Sequence, residues 1–429
     1  MRIALVSPWG SPCGISVHSG DVYAELSRRG HEVRVLAYEE TWPAETRVDL
    51  PVARVWRIGQ PPGWQLATEL ARFRPDVIHV QHEIGFFAPV AVWNEWVACL
   101  SASGAPVVVT YHSLPDVSSA ITDSPVDAAV VCSPTGAELL GSRVDFPVHA
   151  IEHAVDGPIP TSRNVEPQSL VTFGFLADCK GHERLLSAMQ TLRDELPDLT
   201  LSILGSLTPR ALEPQMEHLQ RLQREIAARD LLGRVDVACG FRTHREVRAV
   251  LERKAIGILH YDRTDQLLLS GTAAGTSVTI EERNVQDLGA PIGVQSSTTA
   301  FCRAEPFDPV EQGTSLAALT TKAEAAAHLP KPGRAGVRCQ SAALFRMWSA
   351  GLPCIVSKAQ HFELGHPMRE ALIRALDVPQ LVAEIRRLCT SPVAYDTAVQ
   401  RLANHVTRTW SHVADDYERV FHAALARRN

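Results

Sequence analysis

The sequence predicts an α/β protein built from two facing, doubly wound Rossmann-like domains. Three observations predict it. The segment Met1–Ala37 runs from an apolar strand through a glycine-containing loop into an amphipathic helix. The segment Ser169–Met189 repeats that order. Between and after them, short apolar runs alternate with helical patterns, which is the signature of parallel sheets covered by helices on both faces. Two such halves leave a cleft between their sheets, and the carboxyl edges of such sheets are where phosphate-bearing ligands bind.

In the first half, Ile3, Leu5 and Val6 form a buried strand that ends at Ser7-Pro8. Gly10 and Gly14 punctuate the next loop, and Ser16 is placed to cap a helix whose inner face carries Val17, Val22 and Leu26. Gly30 ends that helix and HEVRVLA forms the second strand. Gly14 either admits a diphosphate to backbone N–H groups or is an ordinary loop glycine. Further strands are expected at Asp76–His82, Pro106–Ser113, Asp127–Ser133 and Val148–Asp156. Polar residues gather just past these strand ends: His82 and Glu83, His112 and Ser113, Ser133 and Thr135, Glu152 and His153. One such histidine is usually structural, whereas several at successive strand ends point to a site.

The Pro-rich stretch 157–168 reads as a linker. The second sheet opens with Leu170–Phe175, and Lys180-Gly181 then stands at the entrance of a helix carrying Leu185, Leu186 and Met189. A lysine there is either a diphosphate clamp, acting with the helix N–H groups, or a solvated surface residue. Strands at Leu199–Ser206, Val235–Phe241 and Ile256–Asp262 alternate with helices at Leu212–Arg229 and through Val247, Val250 and Leu251. Periodicity is lost from about 267 to 337, which reads as an insertion, a spacer or a lid. A helix at Gln340–Ala350, the strand CIVS and a tail helix at Ala394–Ala426 complete the pattern.

Composition narrows the function. The chain has 429 residues, 45% hydrophobic and 21% charged, with a net charge of −6. That balance argues against nucleic acid as the main partner. Its nine cysteines include no C-x-x-C pair, which predicts neither a zinc site nor a disulfide framework. No apolar run approaches the length of a membrane span, and the opening strand leaves no room for a signal peptide. A cytoplasmic location is expected. The aromatic residues Phe86, Phe87, Trp93 and Trp96 lie around one helix and read either as core or as a surface facing an acceptor or a membrane.

In order along the chain, CGISVHSGDVYAELSRRGHEVRVLA, PDVIHVQHEIGFF, VVVTYHSLPD, IEHAVD, GFLADCKGHERLL, LSILGS, ACGFRTHREV, SAALFRMWSAGLPCIVS and HFEL resemble a GT-B-fold retaining glycosyltransferase of the family 4 group. The resemblance covers most of the chain outside 267–337. It implies an acceptor domain at 1–160, a donor-nucleotide domain at 161–405, and a C-terminal helix at 406–429 packing back. It implies a nucleotide-diphosphate sugar donor, a sugar, lipid-linked or small-molecule hydroxyl acceptor, no metal or other cofactor, and possible contact with the inner membrane face. Residue by residue, it implies that Gly14 approaches the donor diphosphate, His112 lies near the reaction centre, and Lys180 neutralises the diphosphate. It also implies that Glu363 and Leu364 face the cleft, with His82, Glu83 and His153 on the acceptor side. Three positions depart from the pattern. Phe175 stands where an arginine is usual, and Arg338 and Arg346 stand where a pair of glutamates is usual. The arginines would serve donor binding if they supply the missing cationic charge. The alternative implied by these departures is a catalytically degenerate scaffold that binds a sugar nucleotide or a partner transferase.

Overall fold

In a computed structural model, residues 1–40, 48–114, 126–207, 212–240, 242–262, 337–338 and 340–428 are described. The first sheet is formed by β1 (Arg2–Ser7), β2 (Glu32–Tyr38), β3 (Val52–Trp56), β4 (Val77–His82), β5 (Val107–Tyr111), β7 (Ala128–Val131) and β8 (Val148–Ala150). Their order across the sheet is β3-β2-β1-β4-β5-β7-β8, all parallel. The second sheet has the order β11-β10-β9-β12-β14-β15. Its strands are β9 (Ser169–Phe175), β10 (Thr200–Ser206), β11 (Val235–Cys239), β12 (Ile256–Leu259), β14 (Cys354–Val356) and β15 (Ile373–Arg374). The chain order reverses between β1 and β4 in one sheet and between β9 and β12 in the other. These are the switch points where an open parallel sheet leaves a crevice.

Composition explains the layering. The central strands β4, β5 and β12 are buried along their whole length, because helices cover both faces of a parallel sheet. Each sheet therefore carries two apolar layers. On one face of the first sheet, Trp56, Phe87, Trp93 and Trp96 pack with Val80 and Val109. On the other, Ile3, Leu5 and Val108 meet Trp410, Val413, Tyr417 and Phe421. The C-terminal helix Trp410–Arg428 thus belongs to the core of the first domain, as expected.

Several local expectations need correction. The tail expected as one helix is two, Pro392–His405 and Trp410–Arg428. The break carries the chain back to the first domain, where Thr409 bridges Val155. Strand β3 and the helix Trp64–Phe73 were not read from the sequence. The expected strand 148–156 stops at Ala150. The cap of the first helix, Gly14–Arg28, is Cys13 rather than Ser16. Ser16 Oγ instead accepts a hydrogen bond from Gly10 N–H at 2.9 Å, tying down a loop in which Gly10 adopts φ +74°. Phe86, Phe87, Trp93 and Trp96 are at most 7% exposed, so these four form core. No helix among the described residues is long and apolar enough to cross a membrane. The expected insertion at 267–337 lies outside the described residues apart from Val337.

Candidate active site in the interdomain cleft

The second sheet's switch point is built around Lys180. After β9 the chain makes a short 3₁₀ turn at Asp178–Lys180 and enters the helix His182–Leu192 through Gly181. Gly181 adopts φ +68°, and a Cβ there would lie 2.0 Å from the His260 carbonyl oxygen. Only glycine lets this turn close against the end of β12. The turn places Lys180 Nζ 3.8 Å from the ring centroid of Tyr261, just beyond β12. Tyr261 Oη is 3.2 Å from Ser341 Oγ, and Ser341 N–H donates to the His361 carbonyl. Lys180, the start of the helix Ala342–Ser349 and the loop leading to Glu363 and Leu364 are therefore one contiguous surface. In that loop Glu363 is exposed and Leu364 is buried.

Across the cleft the first sheet presents histidines. His112 follows β5, and its Nε2 lies 2.6 Å from Gln81 Oε1. Its ring packs edge-on against His18, with centroids 5.3 Å apart. His18 Nδ1 is 3.3 Å from His153 Nδ1. His18 stands one helical turn beyond Gly14 on the helix that opens after β1, and burial holds it far below the usual imidazole range. It was missed because a histidine inside an amphipathic helix carries no local signal. Gly14 itself is exposed, with open space where a Cβ would project.

The two half-sites are joined by a residue that sequence reasoning passed over. Gln340 Oε1 accepts from His153 N–H at 2.9 Å, and Gln340 Nε2 donates to Glu152 Oε1 at 2.6 Å. Glu152 Oε1 also accepts from Gly365 N–H at 2.8 Å, beside Leu364. A chain of contacts thus runs from His112 through His18, His153 and Gln340 to the loop 363–365. The carboxylate beside Gln340 comes from Glu152, in the other domain.

The other expected site residues differ in their surroundings. His82 points into the aromatic core, stacked on Phe87 at 5.1 Å and edge-on to Trp93 at 4.5 Å. Burial lowers its pKa to about 3. It is therefore a core histidine rather than a cleft residue. Glu83 accepts from Ser113 Oγ at 2.7 Å. Ser113 begins the two-residue strand β6 (Ser113–Leu114), which pairs antiparallel with β13 (Val337–Arg338) across the cleft. The Arg338 side chain lies outside the described residues. Arg346 is only 10% exposed and forms ion pairs with Asp21 and Asp156. Asp156 also receives Trp410 Nε1–H at 3.3 Å. Arg346 is thus paired with two aspartates of the first domain.

Among the described residues, the three side chains that come near enough to hold an ion are Asp178, Glu183 and His218. The Arg221 guanidinium already contacts all three, reaching His218 Nδ1 at 2.6 Å. This cluster is a salt-bridge knot behind the Lys180 turn.

Comparison with known proteins agrees with this architecture. The model of Glycosyltransferase Family 4 matches residues 12–156. No curated protein matches the chain. Among solved structures, the chain is similar to a sucrose-phosphate synthase from Thermosynechococcus elongatus, with TM-score 0.63 and 14% identity over 100% of both chains. It is similar to Anabaena HepE in complex with UDP and glucose, with TM-score 0.61 and 12% identity over 99% of this chain and 100% of that one. It is also similar to AviGT4, a glycosyltransferase involved in avilamycin A biosynthesis, with TM-score 0.55 and 15% identity over 99% and 98%. These similarities establish the two-domain GT-B fold over the full chain.

Proposed function

We propose that the protein is a glycosyltransferase that moves a sugar from a nucleotide diphosphate to a hydroxyl acceptor, with retention at the anomeric carbon and without a metal. The observation that carries this reading is the Lys180 turn at the switch point of the second sheet. An ammonium beside a helix N-terminus is suited to the negative charge that develops on a departing diphosphate. The histidines of the first domain lie within one run of contacts from that surface, where an acceptor hydroxyl would meet the donor sugar. Anabaena HepE, of the same fold, is known in complex with UDP and glucose, which favours a uridine donor. The acceptor is a sugar, a lipid-linked precursor or a small molecule.

The pairing of Arg346 with Asp21 and Asp156 favours a second reading. With no carboxylate at position 346 and no free cation there, the scaffold would bind a sugar nucleotide without transferring the sugar. The test is thermal unfolding of the purified chain with UDP-, GDP-, dTDP- and ADP-sugars, with and without Mg²⁺. A ligand at about 100 times its Kd adds about 2.7 kcal/mol to stability. A selective shift that needs no Mg²⁺, together with slow donor hydrolysis, supports the transferase. A shift with no hydrolysis and no transfer supports the scaffold. No shift with any donor sinks both.

A further inference from the structure

A chain of buried polar side chains crosses the interior of the first domain and ends at His112. Tyr23, His79, Gln81 and Thr110 are fully buried, and Tyr417 is 1% exposed. Such groups are costly in an apolar core unless each finds a partner. Here they do. Tyr23 Oη lies 2.7 Å from His79 Nδ1, and Thr110 Oγ1 lies 2.7 Å from His79 Nε2 and 3.0 Å from Tyr417 Oη. Gln81 Nε2 is 3.2 Å from His79 Nε2, and Gln81 Oε1 is 2.6 Å from His112 Nε2.

The donor and acceptor inventory makes this chain directional. With Gln81 Oε1 turned toward His112, the carbonyl oxygen accepts, so His112 Nε2 carries the proton they share. The Gln81 amide nitrogen only donates, so His79 Nε2 must be bare and His79 Nδ1 must carry the ring proton. Burial lowers the His79 pKa to about 3, so that ring carries one proton and the pattern is self-consistent. Tyr23 Oη then accepts from His79 Nδ1–H. Among the described residues no side chain hydrogen-bonds His112 Nδ1.

We infer that Gln81 is a positioning residue that fixes His112 as the Nε2–H tautomer and leaves Nδ1 as a hydrogen-bond acceptor for a hydroxyl group of a ligand in the cleft. The ligand half of this statement rests on the reading of the cleft as a sugar-transfer site. The tautomer does not, and it is measurable without turnover.

The test is ring ¹⁵N–¹H correlation spectroscopy of the full chain labelled at histidine, with the His112 signals assigned from their loss in His112→Asn. The expected wild-type spectrum shows His112 protonated at Nε2, bare at Nδ1, and protected from exchange with water. In Gln81→Met that protection falls by about tenfold, the worth of one ordinary hydrogen bond. In Gln81→Glu, whose carboxylate also accepts, it is retained. A wild-type His112 protonated at Nδ1 overturns the inference, and so does unchanged protection in Gln81→Met. If Gln81→Met fails to fold, the wild-type tautomer and the Gln81→Glu spectrum still decide it. Nucleotide-sugar binding is scored separately by thermal shift, so failure of the tautomer and failure of the transferase reading are distinguishable.

Discussion

Individual residues carry two kinds of role here, and their surroundings separate them. Lys180 sits on a turn that glycine alone permits, and its ammonium rests on Tyr261. If it stabilises a leaving diphosphate, Lys180→Ala lowers turnover by about 100-fold or more, in line with loss of one preorganised electrostatic contact. Steady-state kinetics with an unchanged circular-dichroism spectrum checks this, and unaltered turnover refutes it. The core histidines behave differently. Burial lowers the pKa of His79, His82 and His182 from 6.5 to about 3. The unfolded chain therefore binds protons that the folded chain refuses between those two values. Their favourable contribution is complete above about pH 6.5 and is lost as pH falls toward 3, at up to about 1.4 kcal/mol per pH unit for each ring. Urea unfolding from pH 7 to 4 should show this decline. His82→Phe, which suits the surrounding aromatic rings, should flatten it by one ring's share. Parallel slopes for the two proteins would remove His82 from the account.

Among the elements, the C-terminal helix is the one whose place sequence periodicity alone does not give. Its buried face consists of Trp410, Val413, Ala414, Tyr417, Val420, Phe421 and Ala424. That face covers β1 and β5 of the first domain, although the helix follows the second domain in the chain. Phe421→Ala should cost about 3–5 kcal/mol, the usual range for emptying a fully buried aromatic position. Chemical denaturation monitored at the first domain's tryptophans checks it, and a loss confined to the second domain contradicts this packing. The loop 363–365 shows a similar dependence on a distant partner. Its conformation is held by Glu152, so the geometry of a second-domain loop is decided by a first-domain carboxylate.

For the molecule as a whole, the ion pairs of Arg346 with Asp21 and Asp156 join the first domain to the second. Asp21 is 1% exposed. Breaking a buried pair by removing one partner costs about 3–5 kcal/mol, whereas the intact pair adds little net stability. Arg346→Met should therefore destabilise the protein strongly, and Arg346→Met with Asp21→Asn and Asp156→Asn should recover much of the loss. Tm values across that cycle check it. Equal destabilisation in single and combined variants would show that the arginine packs rather than pairs. The same contacts explain how an arginine is accommodated where a glutamate would be usual, because two aspartates supply its counter-charges.

Periodicity and punctuation made the two sheets, most strands and the Lys180-Gly181 turn legible, since alternation of apolar runs with glycine-ended helices is a local property of the chain. The edge strand β3 was not legible, because VARVW is short and only partly buried, and its flanks carry no repeating apolar pattern. His112 and His153 were legible as polar residues at strand ends. His82, which shares that pattern, was sorted into the core only by the aromatic rings around it. His18 and Gln340 escaped notice, and Glu152 was legible only as a polar residue at a strand end, because each acquires its role from a partner far away in sequence. The sequence by itself determined the fold class and the two edges from which a site would be built. Which side chains meet across the cleft was decided by the tertiary structure, because hydrogen bonds and ion pairs depend on distances that no local pattern encodes.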